Sequence, residues 1–481
     1  MAIARKIAYN ILFNVVAKII STGLALVGIG FITRYLGKEG FGNYATVLAF
    51  FAFFGALADL GMYAVATREI SRSDADERGI MGNVVTLRIA SSFFIALLSP
   101  LIVLLLPYPQ EVKMGILLVA SAFFFSSSYM VLNGIFQKNL AMDKVATAEL
   151  IGKMVQLGVV VLAVHYRLGF LVVIASILFC MIVNSTLVFL LSRRYLTFRL
   201  SFDFTYWKKF LRESLPVGIS VFVAFVYFKA DTILLSILRN SADVGIYNAA
   251  YKIIENISYF PGMIIGLILP IMSHSIFSNR RRFEDVSNKT FKLFILLVVP
   301  LVIGTFFLAD DIIELIGGAG FSESALTLRI LIIALACIFF GNFFNTILIA
   351  GNLQKALMKI LILCAVVNVG TNLILIPLYS YTGAAVTSAM TEILVVVLTS
   401  YTVVRRLDYR PRGEHLGRII VAGLAMGAVL FLLQDMTFII RAVLSVLVYA
   451  VALWITRTIT IREISSIISR EPQIPSKEVV V

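Results

Sequence analysis

The sequence predicts an all-α integral membrane protein of about fourteen transmembrane helices, two parallel six-helix bundles followed by two further helices. Composition gives the first reason: 60% of the 481 residues are hydrophobic and only 14% charged, whereas a globular chain carries about 25% charged residues. Mean hydropathy is +0.96. The second reason is the recurrence of apolar runs of about 18 residues or more, long enough to cross a bilayer of about 30 Å. The third is a repeated phrase. Phe41-Gly42-Asn43-Tyr44 follows Leu36-Gly37-Lys38, and Val244-Gly245-Ile246-Tyr247 follows Leu238-Arg239, about 200 residues later. Six apolar segments separate the phrases. An even number returns the chain to the same face, so both halves run in one sense, as in transporters that rock two similar bundles about a central site.

The first span, at about 9–33, follows Arg5-Lys6. It is too long for a signal peptide and lacks a small-residue cleavage site, so it reads as a retained span. Spans at about 43–66, 80–106, 113–136, 145–166 and 169–192 complete an N-terminal bundle over 1–192. A linker at 193–213 interleaves aromatics with Arg199, Lys208 and Lys209 and is expected on the membrane surface. Spans at about 214–238, 246–275, 289–309, 325–350, 356–377 and 383–404 form the second bundle, 214–404. Two smaller matches support the repeat: Asn139-Leu140 with Asn352-Leu353, and Leu168-Gly169 with Thr382-Gly383-Ala384-Ala385. Spans at about 416–433 and 437–456 lie outside it, in an appended unit over 405–456. In the tail, 457–481, Ile461, Ile464 and Ile468 share a helical face near Arg457, Arg462 and Arg470, an interfacial pattern. The polar stretch 471–481 reads as disordered. Connections reach about 21 residues at most, and a separate domain needs about 50.

Basic residues set the orientation. Of 41 Lys and Arg, about 29 fall on the face that holds the N-terminus, the basic face. The opposite face holds Arg34, Lys38, Lys113, Arg167 and Arg239. Both termini are therefore expected on the cytoplasmic side of the membrane. The net charge of +14 reads as this signal plus attraction to anionic lipid, not as a nucleic-acid surface. Cys180, Cys337 and Cys364 lie within spans as small buried residues, and His165, His274 and His415 are isolated. No metal-ligand spacing and no phosphate-binding Gly-x-x-x-x-Gly-Lys-Ser/Thr loop occurs. Asp74-Ala75-Asp76 looks like a metal-nucleotide DxD, but its loop is too short for a sugar-nucleotide domain.

Chemistry is therefore sought where charge enters the membrane, at a cost of about 2.5–3.5 kcal/mol per residue on insertion scales. Lys18 either snorkels to the headgroups or lines a cavity. Lys229 and Asp231, two apart on a helix, point away from each other and each need another partner. Lys252 with Glu255, and Glu149 with Lys153, are spaced for ion pairs on one helical face, which themselves imply a wet interior. Arg88 has no partner nearby in sequence and calls for an anionic ligand or a distant carboxylate. Asp59 either caps, pairs with Arg68, or joins the polar interior. Arg329, Glu392 and Arg441 lie nearer span ends and read as structural. The expected cavity cations are thus Lys18, Arg88, Lys153, Lys229 and Lys252; the expected coupling or pairing acids are Asp231, Glu255, Glu149 and Asp59. Interior cations suit an anionic cargo.

The stretch Leu36-Gly37-Lys38-Glu39-Gly40-Phe41-Gly42-Asn43-Tyr44 resembles the first outer turn of the polysaccharide-transporter (Wzx-type) flippases, and Ala58-Asp59-Leu60-Gly61-Met62 resembles a later part of the same passage in that family. Asp231 through Val244-Gly245-Ile246-Tyr247, and Ile376-Pro377 through Gly383-Ala384-Ala385, resemble two further junctions of these flippases. The resemblance spans about 5–405 and implies the multidrug/oligosaccharidyl-lipid/polysaccharide exporter superfamily, with its MATE-like fold and alternating access. It implies a non-enzymatic flippase for a polyprenyl-(di)phosphate-linked oligosaccharide, working beside membrane lipids and a glycan polymerase or glycosyltransferase machinery. No cofactor is implied. A sodium or proton gradient is left open as the driving force, with Asp231 or Glu255 as the coupling carboxylate. A cation-coupled multidrug antiporter of the same superfamily is the alternative, and a membrane glycosyltransferase the third reading.

Overall fold

Apolar runs become α-helices throughout the computed structural model, which describes residues 2–413, 415–456 and 458; no strand occurs among them. The interfacial tail pattern at Ile461, Ile464 and Ile468 lies outside the described residues. The helices are α1 (Ala2–Asp59), α2 (Met62–Ile70), α3 (Glu77–Leu104), α4 (Gln110–Lys138), α5 (Met142–His165), α6 (Phe170–Ser192) and α7 (Phe204–Leu238). They continue as α8 (Ser241–Ile257), α9 (Tyr259–Ser278), α10 (Arg280–Gly317), α11 (Ser324–Ala350), α12 (Gln354–Leu407), α13 (Leu416–Leu432) and α14 (Phe438–Ile455). Local chemistry fixes several starts. The Asp203 carboxylate accepts from the backbone N–H groups of Thr205 and Tyr206 at 2.9 and 3.1 Å, and the Asn240 side chain accepts from Asp243 N at 2.9 Å. Both satisfy orphan donors of a first turn.

Among the described residues, nine helical stretches are long and apolar enough to cross a membrane. Two of them each hold two of the expected spans. A 58-residue helix such as α1 would be about 87 Å long if straight, at about 1.5 Å per residue. It is broken at Gly37, where φ is 66° and ψ is −173°, a region that glycine enters without a Cβ penalty. The chain doubles back there. Asn10 Nδ2 donates to Leu140 O at 2.8 Å, and Lys138 Nζ donates to Ile70 O at 2.6 Å, so positions 10 and 70 flank one turn. α12 folds the same way at Ser380, whose φ is 52°. Across that hairpin Asn368 Nδ2 donates to Thr391 Oγ1 at 3.3 Å, and the Ser380 hydroxyl donates to Asp243 Oδ2 at 2.5 Å. The expected eighth span departs from a single helix: it is split into α8 and α9 at Ser258, with Pro261 in the first turn of α9.

The two copies of the repeated phrase touch, backbone to backbone. A Cβ added at Gly42 would lie 1.7 Å from Ser241 O, and one at Gly245 would lie 2.1 Å from Lys38 O. Around this contact Lys38 Nζ donates to Glu323 Oε1 at 2.7 Å, which holds the Glu323 carboxyl below its usual range. Arg34 donates to Leu315 O at 2.6 Å and Glu314 O at 3.2 Å, terminal carbonyls of α10. At the basic face the halves meet again. A Cβ on Gly61 would lie 2.5 Å from Ser214 O, and one on Gly218 equally close to the Leu60 carbonyl carbon. Arg68 pairs with Glu213 beside this second contact. Two tight contacts at opposite ends leave space between them.

α11 is the most enclosed long helix, and its Phe339 and Phe343 pack on Phe294 of α10. α13 and α14 cover α10 from outside, where Ile419, Met426 and Leu453 bury against Ile295 and Leu308. The linker is held more closely than a surface segment. Phe210 is buried with Met81 and Val84 of α3, and Asp203 N donates to Asn83 Oδ1 at 2.9 Å.

Candidate functional site

The space between the two glycine contacts is a cavity of about 300 Å³. α1, α5 and α6 line one wall with Lys18, Ser21, Tyr44, Glu149, Lys153 and Cys180; α8 and α9 line the other with Lys252, Glu255, Asn256 and Tyr259. Glu255 is the junction of the second wall. Its Oε1 accepts from Lys229 Nζ at 2.6 Å and its Oε2 from Lys252 Nζ at 2.8 Å. All three side chains are 16–21% exposed, so the cluster is largely withdrawn from solvent. The first wall is looser. Lys18 lies 3.5 Å from Glu149 and 4.4 Å from the centroid of the Tyr259 ring on the opposite wall. Lys153 makes no ion pair with Glu149, as its spacing allowed; its Nζ donates to Gln156 Oε1 at 3.0 Å. With Lys229 included, four lysines face two glutamates, an excess of two positive charges in a partly dry space.

Asp231 lies outside this cavity. It is 3% exposed. Its Oδ1 accepts from Asn372 Nδ2 at 2.6 Å, and its Oδ2 from Tyr247 Oη at 3.0 Å and from the Ser388 hydroxyl. Asn372 also donates to Asn368 Oδ1 at 3.1 Å. Among the described residues no cation stands within salt-bridge distance of Asp231. A void of about 30 Å³ lies against it, lined also by Asn368, Thr391 and Glu392, which is room for a water-sized occupant.

Nor is Arg88 brought into the cavity. It is 1% exposed, 3.3 Å from Asp59 Oδ1, and donates to the Ala58 carbonyl. Asp59 Oδ2 also accepts from Gly61 N at 3.2 Å, across the break between α1 and α2. The distant carboxylate that Arg88 required is therefore Asp59, and Arg68 goes to Glu213 instead. Breaking a buried pair leaves a charge without compensation and costs about 3–5 kcal/mol. Arg88→Leu is accordingly expected to lower the melting temperature and the membrane level of the protein. Arg88→Met with Asp59→Leu should recover most of that loss in the same thermal measurement.

Arg329 and Arg441 sit near helix ends in pairs with Asp310 at 2.5 Å and Asp311 at 3.0 Å. The uncharged members of both sites, Gln156, Asn256, Tyr259, Asn368, Asn372 and Ser388, were not among the residues that charge pointed to. Their signal is an amide or hydroxyl in mid-span, where a polar group without a partner is costly.

Residues 7–276, more than half the chain, match the family described as "Polysaccharide biosynthesis protein", and residues 216–374 match the MatE family. The chain is 22% identical over 427 residues to the "Probable low-salt glycan biosynthesis flippase Agl15" of Haloferax volcanii, covering 86% of this chain and 87% of that one. Its fold is similar to that of the lipid II flippase MurJ in an inward closed conformation, with a TM-score of 0.77, 16% identity, and 94% of this chain and 100% of the other covered. It is also similar to a multidrug resistance MATE family transporter in an inward-facing conformation, with a TM-score of 0.67, 16% identity and coverage of 83% and 99%. On its own helices and on the match across most of its first half and beyond, the chain is an all-α membrane protein that belongs to the polysaccharide biosynthesis protein family.

Proposed function

We propose that this protein flips a polyprenyl-(di)phosphate-linked oligosaccharide from the cytoplasmic to the outer leaflet, by alternating access between bundles 1–192 and 214–404. The observation that carries the reading is the excess of positive charge at the cavity between the repeats, one from its lining and a second from Lys229, which backs Glu255. A diphosphate supplies the missing negative charge, and ammonium groups in a low-dielectric site bind it more strongly than in water. Lys153 and Lys18 are the first ligands, because one is bound only to an amide and the other only loosely to Glu149. Lys229 and Lys252 complete the ring by way of Glu255. Arg88 and Asp59 serve as an internal brace. Asp231 is the coupling carboxylate for a sodium ion or proton, bound in the void formed with Asn368 and Thr391. Both termini face the cytoplasm of a prokaryotic cell; the protein performs no covalent chemistry and hands its cargo to polymerase or glycosyltransferase machinery. The family match and the named Haloferax volcanii relative support this reading.

The multidrug antiporter is the second reading, supported by the MatE match over 216–374. A cavity rich in lysine favours an anionic cargo over a cationic one.

Deleting the gene and probing lipid-linked sugars from each side of the membrane decides between them. The expected result is accumulation of the lipid-linked glycan on the cytoplasmic side. Unchanged glycans with new drug sensitivity would overturn the proposal in favour of the antiporter. In reconstituted vesicles, Lys153→Ala and Lys252→Ala should each reduce flipping about tenfold to a hundredfold, since a hydrogen bond to a charged group is worth about 1.5–3 kcal/mol.

A further inference from the structure

We infer that the cleft at the open end of the α12 hairpin binds the headgroup of an anionic phospholipid. The two arms of α12 close tightly at Ser380 and diverge toward the basic face, where they enclose a cleft of about 600 Å³. Lys359 from one arm and Arg405 and Arg406 from the other line it, with Tyr401 and Thr402 between them. Arg405 Nη1 donates to Tyr401 Oη at 2.5 Å, and its guanidinium stands 5.8 Å from the ring centroid, which fixes that cation along its own arm at the mouth. Other basic residues of the same face take carboxylates: Arg280 with Glu284 at 2.9 Å, Lys289 with Asp285 at 2.8 Å, Lys138 with Glu77 at 2.5 Å. Among the described residues no carboxylate lies within 4.0 Å of Lys359, Arg405 or Arg406. Three cations thus converge on one concave site with no counter-charge among the described residues.

The surface beneath the cleft selects a lipid. Continuing from Tyr401 in helical steps toward the hairpin bend, Val397 and Met390 are each 54% exposed. On the other arm, below Lys359, Leu363 and Val366 are 50% and 66% exposed. A cationic mouth above two apolar, outward-facing stripes fits a phosphate headgroup with its acyl chains along the helices. Positive residues at a cytoplasmic membrane end need no ligand to be explained as a topology signal. Convergence of uncompensated cations on a cleft with hydroxyls at hand is the added feature, and it is separate from the central cavity.

The full chain in detergent, followed by native mass spectrometry during titration with phosphatidylglycerol or phosphatidylcholine of the same acyl chains, tests the site. Phosphatidylglycerol is expected to bind more tightly. Lys359→Ala with Arg406→Ala should weaken it roughly 30-fold, about fivefold per cation. Arg193→Ala with Arg194→Ala, on the same face outside the cleft, should leave it unchanged, and inorganic phosphate should not displace it. Equal binding of the two lipids overturns the site. So does an equal loss in the Arg193/Arg194 variant, which would mean diffuse attraction to the basic face. Displacement by inorganic phosphate would assign the cleft to a free anion instead. If the alanine pair fails to fold, Lys359→Gln alone, with an expected loss of about fivefold, carries the same test.

Discussion

Glu255→Gln is expected to abolish flipping in reconstituted vesicles and to lower the stability of the protein by about 3–5 kcal/mol, the cost of stripping a buried ion cluster of its one compensating charge. The carboxylate accepts from two ammonium groups at once. A glutamine offers a single carbonyl oxygen and turns an N–H donor toward the second lysine. Lys229 and Lys252 would then repel each other inside the wall. The geometry also predicts the rescue. Lys229→Met in the Glu255→Gln background removes one of the two unmatched charges and should restore much of the melting temperature, with a coupling energy of about 0.5–3 kcal/mol in a double-mutant cycle. Flipping should stay low, because the net charge of the walls is unchanged but Lys252 has lost the carboxylate that positions it. Wild-type stability and flipping in Glu255→Gln would show that the cluster is not what positions these lysines.

Gly42→Ala is the second large effect. The added methyl would sit 1.7 Å from Ser241 O and 2.7 Å from its carbonyl carbon, both backbone atoms that no rotamer change can move aside. The halves must separate at this end or the helix must deform, and overpacking of this kind costs about 1–3 kcal/mol. Gly245→Ala, 2.1 Å from Lys38 O, should behave alike. The expected readouts are a lower melting temperature and loss of flipping in both variants. Gly417→Ala in α13, where nothing lies within 4 Å of the new methyl, should leave both measurements unchanged. An active, stable Gly42→Ala would mean that the two phrases need not touch during the cycle.

The helical architecture was legible because it follows from quantities local in sequence: the length of an apolar run and its breakers. The turn at Gly37 shows this, since a glycine between two runs marks the place where α1 doubles back. The break at Ser258 was less visible, as Ser258-Tyr259-Phe260-Pro261 continues an apolar run; Pro261, tolerated in a first helical turn, was the available sign. Charges were legible as a set but not as pairs. That Lys229 and Asp231 point apart follows from helical periodicity. That Lys229 finds Glu255, 26 residues on, and Asp231 finds Asn372, 141 residues on, depends on how helices pack. Arg88 carried the same signature as the cavity lysines, and only packing against Asp59 sets it apart. The amides around Asp231 were invisible to a search for charge, though each lies where lipid could not have hydrated it.

The contact between the two phrases is reciprocal to the residue. A methyl on Gly42 meets the residue four places before Gly245, and one on Gly245 meets the residue four places before Gly42. Such i-to-j and j-to-i pairing is the mark of an isologous interface between identical subunits. The protein thus carries, within one polypeptide, the axis of a homodimer of half-length chains. Neither half can drift at its glycine and be accommodated by the other, since both present the same backbone at the same point. The cavity walls do not share this reciprocity, since one holds a tight three-member ion cluster and the other a loose pair; the two-fold relation is kept at the backbone contact and given up where the side chains meet the cargo.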